Sequence, residues 1–337
     1  MTNSLSLSNF LSLSGVILDV RSPGEYSQGR IPGAVNLPLF TNEERAAVGA
    51  TYKQVGKREA IELGLKFVGP KLADFAATAR THVKEGAAKV HCWRGGMRSS
   101  SMAWLLGVAG LESATLVGGY KTFRRWAIES LCLPRRLHVI GGLTGSGKTS
   151  ILQILRKTGR QTLDLEALAC HRGSSYGMLG MPPQPTSEQF ENEIAMQWSS
   201  FDPNLPVWVE DESRAIGKCR IPDALFSQME AAPLFLIERP LEERLQILYD
   251  EYGHIDRQEL IQASLRLVKQ LGMTRAREVV EFINLGRLRE AMQIMLGYYD
   301  AAYRHSLSRR QRCIKPLQAN GLSDAEWATL LGSDPTL

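Results

Sequence analysis

The sequence predicts an α/β protein with two parallel-sheet domains and a helical C-terminal extension. Three observations carry that prediction. Short apolar runs of strand length alternate with helical patterns through both halves of the chain. The length of 337 residues, at roughly 150 residues per domain, points to two domains. After Asp256 the apolar spacing becomes helical throughout. The expected divisions are residues 1–134, 135–255 and 256–337, with Leu133-Pro134-Arg135-Arg136 as the first joint.

In the first part, Val16–Val20 reads as a buried strand, and the Gly- and Pro-punctuated run from Arg21 to Pro38 reads mostly as loop. Lys89–Cys92 is a second strand end. It leads through a polar turn into the helical pattern of Met102, Leu105 and Leu106. Thr115–Gly119 is a further strand and turn. In the second part, Leu137–Ile140, Thr162–Leu165, Pro206–Glu210 and Leu234–Glu238 read as strands, with a helix from Lys148 to about Lys157. Asp256-x-x-Glu259 is a capping-box pattern. It opens a helical run of Leu260, Ile261, Leu265, Val268 and Leu271 that stops at Gly272. Further helices are expected from about Arg275 and from Arg287 to Tyr303.

Composition excludes several classes. With 44% hydrophobic and 22% charged residues, the chain is neither disordered nor fibrous. The longest nearly apolar stretch, Met102–Leu111, is ten residues, whereas a membrane span needs about 20. No basic residue precedes Arg21, so no signal-peptide pattern is present. Five cysteines, with no CxxC pair, suit neither a disulfide framework nor a zinc site. A soluble, reducing, cytoplasmic setting is expected.

Cys92-Trp93-Arg94-Gly95-Gly96-Met97-Arg98 lies between a strand and a helix. Such a loop turns successive backbone N–H groups inward and aims a helix N-terminus at its centre, which binds an anion. The same field, with Arg94 and Arg98, favours thiolate at Cys92. Gly95 and Gly96 allow the tight cradle. These features suit group transfer through a covalent cysteine intermediate.

Gly142-Leu143-Thr144-Gly145-Ser146-Gly147-Lys148-Thr149 matches GxxxxGK[ST] between a strand and a helix. The amides around Gly142, Gly145, Ser146 and Gly147 would wrap a diphosphate, Lys148 would neutralise it, and the Thr149 hydroxyl would reach Mg²⁺. Asp211, after Val207-Trp208-Val209, is the candidate second carboxylate, with Glu210 and Glu212 competing. Asp164, Glu166 and the polar loop carrying Arg172 are further candidates for this site.

Asp19-Val20-Arg21-Ser22-Pro23-Gly24-Glu25-Tyr26, Gly29–Pro38 and Gly118-Gly119-Tyr120-Lys121 resemble the rhodanese homology domain over residues 10–130. Arg30 stands where that family often has His. The loop from Cys92 to Arg98 is one residue longer than in rhodanese sulfurtransferases and matches the phosphatases of this fold, a width suited to phosphate. The fold expected is therefore a rhodanese-like domain joined to a P-loop NTPase-like domain. The order of the two sites, together with the runs LDLEALACHRGSSYG and WVEDESRAIG, resembles the bacterial tRNA 2-selenouridine synthase family over nearly the whole chain.

That resemblance implies replacement of sulfur by selenium in wobble 2-thiouridine of tRNA. The selenium comes from selenophosphate, and the route passes through an S-geranyl intermediate made from geranyl diphosphate. It implies that Cys92 carries selenium as S-selanylcysteine, that its loop with Arg94 and Arg98 holds the phosphate, and that the P-loop holds the leaving diphosphate with Mg²⁺. An enzyme supplying selenophosphate is an expected partner.

The charge pattern fits a polyanion. Residues 1–134 carry a net +6, residues 135–256 a net −5 and residues 257–337 a net +4. Arg275, Arg277, Arg287, Arg289, Arg304, Arg309, Arg310, Arg312 and Lys315 make the tail a candidate phosphate platform for tRNA. Tyr298, Tyr299 and Tyr303 could stack bases, although at helical spacing they equally suit a core. The main rival is a P-loop small-molecule kinase with a rhodanese-like regulatory domain, which predicts ATP turnover and a dispensable Cys92. A phosphatase of the rhodanese fold leaves the P-loop unexplained.

Overall fold

The computed structural model describes residues 3–309, 313–318 and 321–333. The chain forms two compact units, Met1–Ser130 and Leu131–Leu337. Among the described residues no helix is long and apolar enough to cross a membrane.

The first unit runs β1 (Asn3–Leu5), α1 (Leu7–Ser12), β2 (Gly15–Asp19), α2 (Pro23–Gln28), β3 (Val35–Asn36), α3 (Asn42–Gln54), α4 (Lys57–Val68), α5 (Leu72–His82), β4 (Ala87–His91), α6 (Met97–Val108), β5 (Ser113–Leu116) and α7 (Gly119–Ser130). Its sheet has the order β1-β5-β4-β2-β3, with every pair parallel. Strand β4 is central and buried along its whole length, as expected for a parallel sheet covered on both faces. Leu18 and Val90 from the strands pack with Phe75 of α5 and Met102 and Leu106 of α6.

The run from Arg21 to Pro38 is more ordered than its Gly and Pro content predicts. Ser22 accepts from the Glu25 amide, and the Glu25 side chain accepts from the Ser22 amide. With Pro23 in the first turn, this capping box is enough to nucleate the short helix α2.

The second unit runs β6 (Leu137–Gly142), α8 (Lys148–Lys157), β7 (Gln161–Leu163), α9 (Leu165–Ala169), α10 (Ser187–Ser200), β8 (Val207–Glu210), β9 (Ala215–Ile216), β10 (Cys219–Arg220), α11 (Asp223–Ala231), β11 (Leu234–Glu238), α12 (Leu241–Tyr252), α13 (Arg257–Leu265), α14 (Val268–Leu271), α15 (Met273–Asn284), α16 (Leu288–Ser308), β12 (Ile314–Gln318) and α17 (Asp324–Ser333). The sheet order is β12-β11-β6-β8-β7, all parallel, and β9 and β10 form a separate antiparallel hairpin. The sheet core joins Ile140, Trp208 and Phe235 to Ile151 and Leu155 of α8 and Trp327 of α17.

Two features depart from the sequence pattern. The apolar run from Leu260 to Leu271 is two helices, α13 and α14. The Ser264 hydroxyl donates back to the Leu260 carbonyl and also engages the Tyr176 hydroxyl, a side-chain bond that competes with helix continuation. The tail also contains a strand. β12 pairs with β11 at the sheet edge, where Pro316 lacks a donor without breaking an interior ladder.

Candidate functional site

The first site stands at the C-terminal end of β4. Cys92 follows the strand directly, and α6 begins at Met97. The loop between them is held from below. The Cys92 carbonyl accepts from the Tyr120 amide at 2.8 Å and the Trp93 carbonyl from Lys121 at 3.0 Å. Gly95 has φ +65°, and a Cβ there would lie 2.5 Å from the Leu116 carbonyl oxygen, so only glycine fits.

The Cys92 side chain is buried, with its sulfur 3.3 Å from Ser99 Oγ. Burial pushes the thiol up. The Ser99 hydroxyl, the Arg98 charge and the amides of Ser99 and Arg94 outweigh that, leaving it below the ordinary thiol range. Arg98 is anchored, since its Nη1 donates to Glu25 Oε2 at 2.8 Å. Glu25 thus closes the α2 cap and fixes the far end of the cysteine loop. Arg94 is exposed on the loop.

Beneath the loop, Arg21 is 1% exposed and pairs with Asp19 at 2.6 Å. It stacks 3.8 Å from the Tyr120 ring centre and donates to the Gly29 carbonyl. The Asp-x-Arg run of the sequence is therefore a buried brace. Replacing only one partner of such a pair would leave a buried charge uncompensated.

The second site is the loop between β6 and α8. Gly145 has φ +80°, with a Cβ position 2.8 Å from the Arg244 carbonyl oxygen. Ser146 Oγ donates to the Leu143 carbonyl at 2.6 Å and Lys148 Nζ to the Gly142 carbonyl at 3.1 Å. Thr149 Oγ1 donates to Glu166 Oε2 at 2.8 Å.

The candidate carboxylates separate here. Asp164 caps α9, accepting from the Ala167 amide. Glu166, two residues on, is the carboxylate beside Thr149. Asp211 accepts from the Tyr303 hydroxyl at 2.8 Å. Glu210 is fully buried, accepts from the Leu165 amide, and is held strongly toward its protonated form by burial and the neighbouring carboxylates. Glu212 is pushed up to about 8 by burial first and then by Glu166. Arg172 pairs with Glu251 at 2.6 Å and donates to the Leu179 carbonyl.

Beside this loop lies a chamber of about 480 Å³, within the roughly 300–1,000 Å³ usual for small-ligand sites. The P-loop, Glu166, Arg172, Asp211 and Glu212 form its polar end. Leu248, Leu260, Ile283, Met292, Met295 and Leu296 form the apolar remainder, joined by Tyr176, Tyr252 and Tyr299. The chamber was not legible as a site in the sequence; Tyr299 and Tyr303, base-stacking candidates there, line it, as do Tyr176 and Tyr252, which the sequence did not single out. Tyr303 is tied to the phosphate loop itself, with its hydroxyl accepting from the Gly142 amide at 3.2 Å.

Of the tail arginines, Arg275, Arg277, Arg287, Arg304 and Arg309 are exposed. Arg287 pairs with Glu290 and covers Phe282. Arg289 contacts Gln246 and Tyr249, and Lys315 covers Phe235. Arg310 and Arg312 lie outside the described residues.

Residues 6–125 match the rhodanese-like domain, and residues 135–325 match the tRNA 2-selenouridine synthase AAA domain. The chain is 35% identical to the tRNA 2-selenouridine synthase of Cronobacter sakazakii over 88% of each chain. It is 35% identical to that of Bdellovibrio bacteriovorus, covering 90% of this chain and 92% of that one. A solved N-terminal domain of a putative ATP/GTP binding protein from Clostridium difficile 630 aligns with 37% of this chain and 98% of its own, at 40% identity and a TM-score of 0.34. Two relatives matched over 88% or more of both chains agree with two family models that between them span both units, and the chain belongs to the tRNA 2-selenouridine synthase family.

Proposed function

We propose that this protein replaces the sulfur of wobble 2-thiouridine in tRNA by selenium from selenophosphate, and that the sulfur is first alkylated with the geranyl group of geranyl diphosphate. The observation that carries the two-step reading is the chamber of the second unit, where a phosphate loop opens onto apolar walls. A diphosphate with a hydrocarbon tail satisfies both ends of such a space.

In the first step the thiouridine sulfur attacks C1 of the geranyl group. The S–C1 bond forms, the C1–O bond breaks, diphosphate leaves, and the N3 proton of the base passes to solvent. The P-loop amides and Lys148 receive the charge that develops on the leaving oxygen. The Thr149 hydroxyl and Glu166, hard oxygen donors 2.8 Å apart, suit Mg²⁺, which completes its shell with phosphate oxygens and water. Bound there, Mg²⁺ would supply further neutralisation of the diphosphate.

Alkylation has a chemical purpose. It turns a thiocarbonyl sulfur into a thioether that can depart from C2 as geranyl thiol when selenium enters. Cys92 and the amides of its loop, with Arg94, are assigned to hold selenophosphate: its selenium attacks C2 at the selenide level, the C2–S bond breaks with loss of geranyl thiol, and water cleaves the P–Se bond to release phosphate, with no change of oxidation state. The wobble base lies in a single-stranded loop, so it can be splayed into such sites. The exposed Arg275, Arg277, Arg287 and Arg309 are assigned to the tRNA backbone. A cytoplasmic location and an enzyme that supplies selenophosphate belong to the same reading.

The test is direct. Thiouridine-containing tRNA is incubated with the protein, selenophosphate, geranyl diphosphate and Mg²⁺, and the nucleosides are weighed by mass spectrometry. The reading expects 2-selenouridine. Thiouridine left unchanged by folded, tRNA-binding protein would overturn it.

A further inference from the structure

One aromatic ring at the cysteine loop is left open to solvent. Trp93 follows Cys92 directly and is 36% exposed. Its ring centre lies 5.6 Å from that of Tyr120, tilted by 47°, and 5.9 Å from the Arg21 guanidinium. Tyr120 and Arg21 are 0% and 1% exposed. Arg21 is fixed by Asp19, and Tyr120 packs in turn on His91 and Phe123. The indole therefore rests on a rigid, buried base, with the rest of its surface in water. The backbone of the loop does not need that ring, because the carbonyls of Cys92 and Trp93 are held by the amides of Tyr120 and Lys121. Two cations flank it. Arg94 is the next residue, Lys121 is joined by that hydrogen bond, and both are exposed.

We infer that Trp93 is the platform on which the wobble base stacks for the selenium step. The inference rests on the two-step reading above. Exposed apolar surface of this size forgoes burial energy, and here it stands next to the reactive cysteine. Single-stranded bases are held by stacking on aromatic side chains, between cations that follow the phosphates. A flat, braced indole between Arg94 and Lys121 has that form. The direction of attack fits as well. C2 of the base is trigonal, so selenium must approach it along the normal to the ring, where the orbitals align. One face of the pyrimidine receives selenium, and only the other face is free to be held. An indole against that second face stops the base from turning and leaves C2 open to the selenophosphate held by the loop.

The experiment starts from tRNA that already carries S-geranyl-2-thiouridine, so that only the selenium step is read. Conversion to 2-selenouridine with selenophosphate is compared for wild type, Trp93→Ala, Trp93→Phe and Trp93→Leu. Trp93→Ala lowers kcat/KM for the tRNA by about tenfold to a hundredfold, the scale on which aromatic stacking of one base is lost. The KM for selenophosphate stays at the wild-type value. Trp93→Phe, which keeps a ring, recovers most of the loss. Trp93→Leu, which keeps apolar bulk without a ring, does not. Should Trp93→Ala disturb the loop, the comparison of Phe with Leu decides alone. Recovery by Leu equal to that by Phe overturns the platform, because packing then suffices. Wild-type conversion by Trp93→Ala also overturns it, as does a loss that resides only in the KM for selenophosphate. Each of these results leaves the two-step reading standing. Wild-type protein that makes no 2-selenouridine from the S-geranyl tRNA overturns that reading, and the platform with it.

Discussion

Cys92 illustrates how a few neighbours reverse the effect of burial. A thiol this enclosed would normally titrate high, yet Ser99, Arg98 and two amides pull it the other way. The thiolate is the reactive form, so alkylation of Cys92 should rise with pH and level off below the pH needed by an ordinary thiol. Ser99→Ala removes one of the groups that stabilise the thiolate. We expect the pH profile of Cys92 alkylation by iodoacetamide to shift upward in that variant. The reading is made on the Cys92 peptide by mass spectrometry, because Cys132 and Cys313 are exposed and react independently. A profile unchanged from wild type would remove Ser99 from the account. The cysteine itself was legible in the sequence because its glycines, arginines and helix start are all local. The grip of Glu25 on Arg98 was not, because 73 residues separate the two.

At the scale of elements, the chamber depends on α16 being held against the phosphate loop. Tyr303 supplies one tie. Arg244 of α12 supplies another, donating to both oxygens of Asp300 on α16, at 2.9 and 2.7 Å, and to the Thr144 carbonyl. Arg244 is 4% exposed, so Asp300→Ala would leave a buried charge with no counterion. The expected cost is about 3–5 kcal/mol, which lowers the thermal midpoint of this unit by roughly 10 °C. Differential scanning calorimetry checks it, and a shift under about 2 °C would show that the pair is not structural. Such long-range ties also explain what the sequence concealed. The strand end at Glu210 was visible from its apolar run, whereas the expected strand Thr162–Leu165 stops at Leu163, because Asp164 caps α9 and Leu165 opens it. Which carboxylate faces Thr149 was not visible, because Asp164 and Glu166 differ only in how the chain turns into α9. Strand β12 was hidden by Pro316 and Lys315, residues that an edge strand tolerates.

For the whole molecule, each unit carries one glycine-rich loop between a parallel strand and a helix, and each was readable as a motif. The reaction assigned to them divides at the S-geranyl intermediate, with alkylation in the second unit and selenium delivery in the first. The apolar chamber was not readable, because its walls come from α12, α13, α15 and α16, whose inward faces look like ordinary core until they are folded around a phosphate loop. The division of labour makes the central claim testable with one variant. Cys92→Ala is incubated with thiouridine-containing tRNA, geranyl diphosphate, selenophosphate and Mg²⁺, and the nucleosides are weighed. The account predicts that S-geranyl-2-thiouridine accumulates and that 2-selenouridine is absent. Formation of 2-selenouridine at the wild-type yield would contradict it.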